Sequence, residues 1–194
     1  ADPGRLTGFL KEGKRVWLKY VDKKSRKTKW STVLFESNSG KELISMKSTL
    51  PNELVEKAVK EGDITELKDW NYKRSEFSHG NSRWDLLLEN ENDEEMLLEV
   101  KNVNYVKDNI AYFPDAVTKR GKKHLEELIS LKEDSDYKTA LIFIVQRNDL
   151  NKLKANREVD PAFANTLKKA KESGLEILAY KTKVTLEKIV LDKK

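Results

Sequence analysis

The chain has 194 residues, with 38 lysines and arginines against 33 aspartates and glutamates, a formal net charge of +5 and no cysteine. The lack of cysteine excludes disulfides, thiolate zinc sites and cysteine nucleophiles, and two histidines, His79 and His124, exclude a multi-histidine metal cage. A resident metal would be held by carboxylates and carbonyls, which selects Mg²⁺ or Mn²⁺. The longest strongly apolar stretch, around 140–145, is far too short to span a bilayer, and no signal peptide is apparent, so a cytoplasmic protein without membrane contact is expected. The basic excess suits a polyanionic partner, and equally suits an ordinary solvated surface.

In chain order, 14–20 reads as a strand in which Val16, Leu18 and Tyr20 alternate with Arg15, Trp17 and Lys19. The polar run 22–29 is a turn; strands follow at 30–35 and 42–47, separated by the turn Asn38-Ser-Gly40. Three short strands form part of a small β-barrel, whose core Trp17, Tyr20 and Trp30 are expected to fill, base stacking being the alternative. Residues 51–60 read as a linking helix, opened by Pro51, striped by Leu54, Val55, Ala58 and Val59 and stopped by Gly62. Strands at 83–88 and 96–101, a helix at 115–131, an apolar central strand at 139–145, a helix at 161–173 closed by Gly174 and a strand at 175–180 then imply a mixed sheet flanked by helices.

The chemistry concentrates at Asp85 on one strand and Glu99-Val-Lys101 on the next. Side chains alternate along a strand, so Glu99 and Lys101 share a face opposite Met96, Leu98 and Val100, and Asp85 shares one with Leu87 opposite Trp84, Leu86 and Leu88. Unpaired carboxylates on interior strands are costly, and a divalent cation resolves the cost. Asp85, one oxygen of Glu99 and the Val100 carbonyl would hold Mg²⁺ or Mn²⁺, with Lys101 orienting an attacking water or neutralising transition-state charge. The spacing itself says little, because an acid two residues before a lysine recurs at Glu12, Asp22, Glu66, Asp136 and Asp192. A buried ion pair from Lys101 to Glu99 or Asp85, with no metal, explains the same residues.

The block Tyr112-Phe-Pro-Asp-Ala-Val-Thr-Lys-Arg-Gly121, continuing through Lys123-His-Leu125, resembles the signature of the sugar fermentation stimulation (SfsA) family. So do Asp2-Pro-Gly-Arg-Leu6, Ser82-Arg-Trp-Asp85, Leu98-Glu-Val-Lys101 and Gly174-Leu-Glu-Ile-Leu-Ala-Tyr-Lys181. The resemblance implies an α/β chain: a partial OB-like barrel over 1–50, a helix and connection over 51–70, and a PD-(D/E)XK nuclease-like domain over 71–194. It also implies DNA as partner. Glu76 would match the first acid of that nuclease core and Gln146 a supporting glutamine. The family places barrel strands before Asp2, close to where this sequence begins, so the chain is expected to be either a fragment or a partial barrel; in a partial barrel, exposed strand edges would invite a homodimer. Arg83, Thr118, Lys119, Arg120, Lys122, Lys123 and His124 are the expected nucleic-acid contacts, with a solvated helix face as the plain alternative for the lysines and a structural role for His124. Asp115 suits a helix N-cap, and Gly121, about 1 kcal/mol worse than alanine within a helix, implies close packing or close ligand approach. The expected function is a DNA-binding protein with a metal-dependent phosphodiesterase site, or a non-catalytic DNA-binding regulator on the same scaffold.

Overall fold

The computed structural model describes residues 12–37, 39–147 and 149–192; the segment Asp2–Leu6, the turn residue Asn38 and the last two lysines lie outside them. The first unit is an antiparallel sheet of β1 (Val16–Tyr20), β2 (Trp30–Glu36) and β3 (Leu43–Ser45), in that order. Its small core is Phe35, Ile44 and Met46, at the end of the sheet where Ser45 N–H donates to the Gln146 carbonyl. The expectation that Tyr20 and Trp30 fill a barrel core is not met. They are 48% and 55% exposed and pack edge-on against each other at 5.2 Å; among the described residues the small apolar core of this sheet lies at its β2–β3 end.

The main sheet has six strands in the order β12 (Ile189–Leu191), β11 (Glu176–Val184), β9 (Lys138–Val145), β6 (Glu95–Val103), β5 (Ser82–Glu89) and β4 (Asn71–His79). β9 pairs in parallel with both neighbours and is apolar on both faces, as a doubly covered strand requires. On one face α1 (Leu50–Lys60) buries Leu54, Val55, Ala58 and Val59 against Leu86, Leu88, Leu98 and Ile142. On the other, α2 (Lys119–Asp134) and α3 (Pro161–Glu172) cover Trp84, Leu97, Leu141 and Phe143. A small sheet, β10 (Leu153–Ala155), β8 (Ile110–Phe113) and β7 (Tyr105–Lys107), lies beside them.

Two expectations about α2 are corrected. The helix starts at Lys119, and its N-cap is Thr118 rather than Asp115: Thr118 Oγ1 accepts from Gly121 N–H at 3.0 Å. One buried carboxylate fixes both helix starts, since Asp160 accepts from Thr118 N–H at 2.9 Å and from Phe163 N–H at 2.8 Å. The cap also explains Gly121, where a Cβ would lie 2.8 Å from Thr118 Oγ1 and 2.9 Å from its Cγ2. Gly121→Ala is therefore expected to lower stability by about 1–3 kcal/mol despite the better helix propensity of alanine, a loss that thermal melts would register.

The face assignment along β5 is also corrected. Leu87 packs with Trp84, whereas Leu86 and Leu88 pack with the opposite cluster. The strict alternation fails at Asp85, which forms no register pair with either neighbouring strand; across β4 its counterpart Glu76 has φ +51°, in the left-handed region. The ladder opens around Asp85, so the Val100 N–H of β6 donates to the Asp85 carboxylate in place of a β5 carbonyl.

Candidate metal and nucleic-acid site

Asp85 lies where β5 and β6 part. Val100 N–H donates to one of its carboxylate oxygens at 2.8 Å, and the Asn52 amide of α1 donates to the other at 2.7 Å. Burial pushes the Asp85 carboxyl up to about 6 and the Glu99 charge adds to the rise, against the opposing pull of Val100 N–H, Asn52 and Lys101.

Glu99 is 4% exposed, in the middle of β6 on the α2 side. One oxygen, Oε1, takes the His124 Nδ1 contact at 2.6 Å and the Lys101 ammonium. Burial raises its carboxyl, but the His124 hydrogen bond and the Lys101 charge outweigh burial and hold it below the ordinary carboxylate range. The other oxygen, Oε2, is buried without a hydrogen-bond partner among the described residues. Such an orphan acceptor on an ionised group is costly and suits a cation. No group of three His, Asp or Glu side chains that could hold a metal occurs among the described residues, so a cation between Asp85 and Glu99 would take further ligands from backbone carbonyls and water.

His124 belongs to this cluster rather than to the surface. It is 5% exposed, packs 5.6 Å from the fully buried Trp84 ring, and accepts at Nε2 from Arg120 Nε at 3.3 Å. With Nε2 accepting, Nδ1 carries the hydrogen that goes to Glu99. Arg120 in turn opens onto a shallow concavity of about 320 Å³, lined by Arg83, Lys119, Arg120, Lys123 and His124 with Asn81 and Ser82. Five of the expected nucleic-acid residues thus meet around one depression whose inner wall is the imidazole that holds Glu99. Thr118 caps α2 and Lys122 pairs with Glu126 at 2.9 Å, both outside that lining.

Glu76 is exposed on β4 and pairs with Arg83 at 3.6 Å. Gln146 is fully buried just past β9, its amide nitrogen donating to the Lys47 carbonyl at 3.2 Å and to Asn102 Oδ1 at 2.8 Å. Its hydrogen bonds tie the first sheet to β6 and none reaches Asp85 or Glu99. The residue missed in the sequence is Asn52, whose contact with Asp85 spans 33 positions and carries no local signal.

Two family models match the chain: the SfsA N-terminal OB domain over residues 1–46, and the sugar fermentation stimulation protein RE domain over residues 49–188. Among curated relatives, the sugar fermentation stimulation protein homolog of Shouchella clausii is 36% identical, with the match covering 98% of this chain and 81% of that protein. The homolog of Methanobrevibacter smithii is 41% identical, covering 97% and 81%. The solved structure of Pyrococcus furiosus SfsA in complex with Ca²⁺ superposes with a TM-score of 0.85 at 28% identity, over 97% of this chain and 79% of that one. The mixed α/β architecture, an OB-type N-terminal sheet followed by a restriction-endonuclease-like domain, is that of these relatives, and the chain belongs to the sugar fermentation stimulation protein (SfsA) family.

Proposed function

We propose that the protein binds DNA and carries, at Asp85, Glu99 and Lys101, a metal-dependent phosphodiesterase site of the nuclease type. The observation behind this reading is a buried and a half-buried carboxylate at the parting of β5 and β6: Glu99 Oε2 is unpartnered among the described residues, and the Asp85 carboxyl is pushed up to about 6, in part by the Glu99 charge. That charge distribution is unfavourable alone and is relieved by a divalent cation. Asp85, Glu99 and the Val100 carbonyl would hold Mg²⁺ or Mn²⁺; the Ca²⁺ complex of the Pyrococcus furiosus relative supports the same oxygen chemistry here. A bound ion at this position supplies an activated water and polarises the phosphoryl oxygen.

The protein's own groups do the rest. Asn52 and Val100 N–H orient Asp85, and His124 holds Glu99 in one rotamer. Lys101, 13% exposed and anchored on Glu99, presents its ammonium to the charge that develops on the phosphoryl group. Arg83, Lys119, Arg120 and Lys123 grip phosphates on the rim, Glu76 orients Arg83, and Gln146 supports β6 through Asn102.

Incubation with single- and double-stranded DNA, with Mn²⁺ or Mg²⁺ and then with chelator, tests this. Cleavage that starts with metal and stops with chelator is the expected result. Binding with no cleavage under any metal would select the second reading, a non-catalytic DNA-binding protein, which the Lys101–Glu99 ion pair favours because it already neutralises one acid. For the rim, Arg83→Ala combined with Lys123→Ala is expected to lower the slope of log affinity against log salt by about 2 and to weaken all DNA sequences alike, as measured by fluorescence anisotropy across a salt series.

A further inference from the structure

A second groove, of about 470 Å³, lies on the α3 side of the main sheet. Phe113, Phe143, Ile177 and Ala179 form its floor, and Ala164 and Leu167 of α3 form a wall. Its rim carries Lys154 of β10, Arg157, and Lys168 and Lys171 of α3, and no Asp or Glu lines it among the described residues. Lys168 makes an exposed pair with Glu172 at 3.6 Å, and Arg157 donates to Asn165 at 2.6 Å. The volume is that of a small-ligand site, and the lining combines an apolar, partly aromatic floor with cations from three segments of chain.

We propose that this groove takes an unpaired nucleotide of the DNA strand that enters the Asp85–Glu99 site, an inference that rests on the DNA reading above. Three observations select this occupant. The first is position: Lys101, Phe143 and Ala179 are register partners across β6, β9 and β11, so the floor begins one strand away from Lys101 and continues its row, on the sheet face that α2 and α3 cover. Adjacent strands lie about 4.8 Å apart, so the groove is within reach of a nucleotide next to the reacting phosphate. The second is the aromatic floor: Phe113 is half-buried and braced by Phe143 at 5.3 Å and Phe163 at 5.1 Å, a fixed ring for a base to pack on. The third is charge: four cations spread along the rim match a phosphodiester chain with a charge at every link, whereas a fatty acid offers one carboxylate.

The test uses hairpin duplexes that are either fully paired or carry one unpaired 2-aminopurine, bound in Ca²⁺ by the full chain. Two variants are compared with wild type: Ala179→Trp, which fills the groove from an exposed strand position, and Lys168→Glu with Lys171→Glu, which reverses half the rim charge. The wild type is expected to bind the bulged duplex at least about fivefold more tightly than the paired one, with a change in 2-aminopurine emission. Both variants lose that preference, and Ala179→Trp keeps its affinity for the paired duplex within about twofold. Equal affinity of the wild type for the two duplexes, or a preference that survives Ala179→Trp, overturns the groove assignment and leaves the DNA reading standing. Failure to bind either duplex removes the DNA reading and the groove proposal with it. A one-to-one complex with a long-chain fatty acid that Ala179→Trp blocks, with no 2-aminopurine response, would give the groove to an acyl chain instead.

Discussion

Glu99→Gln is expected to lower metal-dependent DNA cleavage at least about 100-fold while leaving DNA affinity within about threefold. Glutamine keeps the volume of the side chain and still accepts the His124 hydrogen bond, so the buried strand retains its packing. What it loses is the charge: with the amide carbonyl at the Oε1 position, the orphan Oε2 is replaced by an NH2 group that cannot ligate a cation, and Lys101 is left without its counterion. Lys101→Met separates the two roles. It removes the ammonium at a 13% exposed position and leaves both acids, so metal affinity is expected to hold or rise while cleavage falls about 100- to 1000-fold. Single-turnover cleavage of a labelled duplex at saturating Mn²⁺ separates the two cases. Loss of folding in circular dichroism would assign either effect to structure; unchanged cleavage in both variants would remove these residues from the chemistry.

The Asp85→Ala variant, compared with wild type in chelator, is expected to show a stability difference that depends on pH. The Asp85 carboxyl is raised from 3.8 to about 6 in the folded chain, so the folded state binds its proton more tightly than the unfolded state. Its contribution is fully present below 3.8 and is lost as pH rises through about 6. A shift of about two units at 1.36 kcal/mol each amounts to about 3 kcal/mol. Removing the carboxyl also removes the contacts to Val100 and Asn52; their preference for the ionised form is already contained in the raised value, and the lost packing is common to all pH values. Asp85→Ala should therefore be less damaging at pH 8 than at pH 4.5 by about 2 kcal/mol, since about 1 kcal/mol is already lost at pH 4.5, measured by urea unfolding. Glu99 works in the opposite direction: held below the ordinary range, its contribution is present at neutral pH and is lost as pH falls. Excess Mn²⁺ should flatten the wild-type curve above pH 6, because a bound cation stabilises the ionised form. A difference between variant and wild type that is flat from pH 4.5 to 8 would contradict the burial argument.

The periodic parts of the fold were legible in the sequence. The apolar run at 139–145 is the doubly covered β9, the stripe through Leu54 and Val59 is the buried face of α1, and Pro161 with Gly174 bracket α3. β4 was not legible: as an edge strand it is half exposed along its length, and its polar sequence Asn71–His79 lacks an apolar alternation. The start of α2 was misplaced because Asp115 and Thr118 are both good caps, and only the Asp160 contact to Thr118, 42 residues away, decides between them. At the candidate site, the alternation rule put Glu99 and Lys101 on one face, where they do meet. The same rule failed at Asp85, because it assumes an unbroken ladder and the ladder opens there. Period-based reasoning carries no term for Asn52 or for the Arg120–His124–Glu99 chain, since both depend on which helix covers which strand.

The most direct test of the account is calorimetric titration of the metal-free wild type, Asp85→Ala and Glu99→Gln with Mn²⁺ at pH 7.5. The expected result is a site in the wild type that is weakened at least about tenfold in each variant; at pH 6, where the Asp85 carboxyl is still partly protonated, binding also releases protons, and that release is reduced when Asp85 is absent. Mn²⁺ affinity that is the same in all three proteins would contradict it, and would leave Asp85, Glu99 and Lys101 as a buried ion-pair cluster.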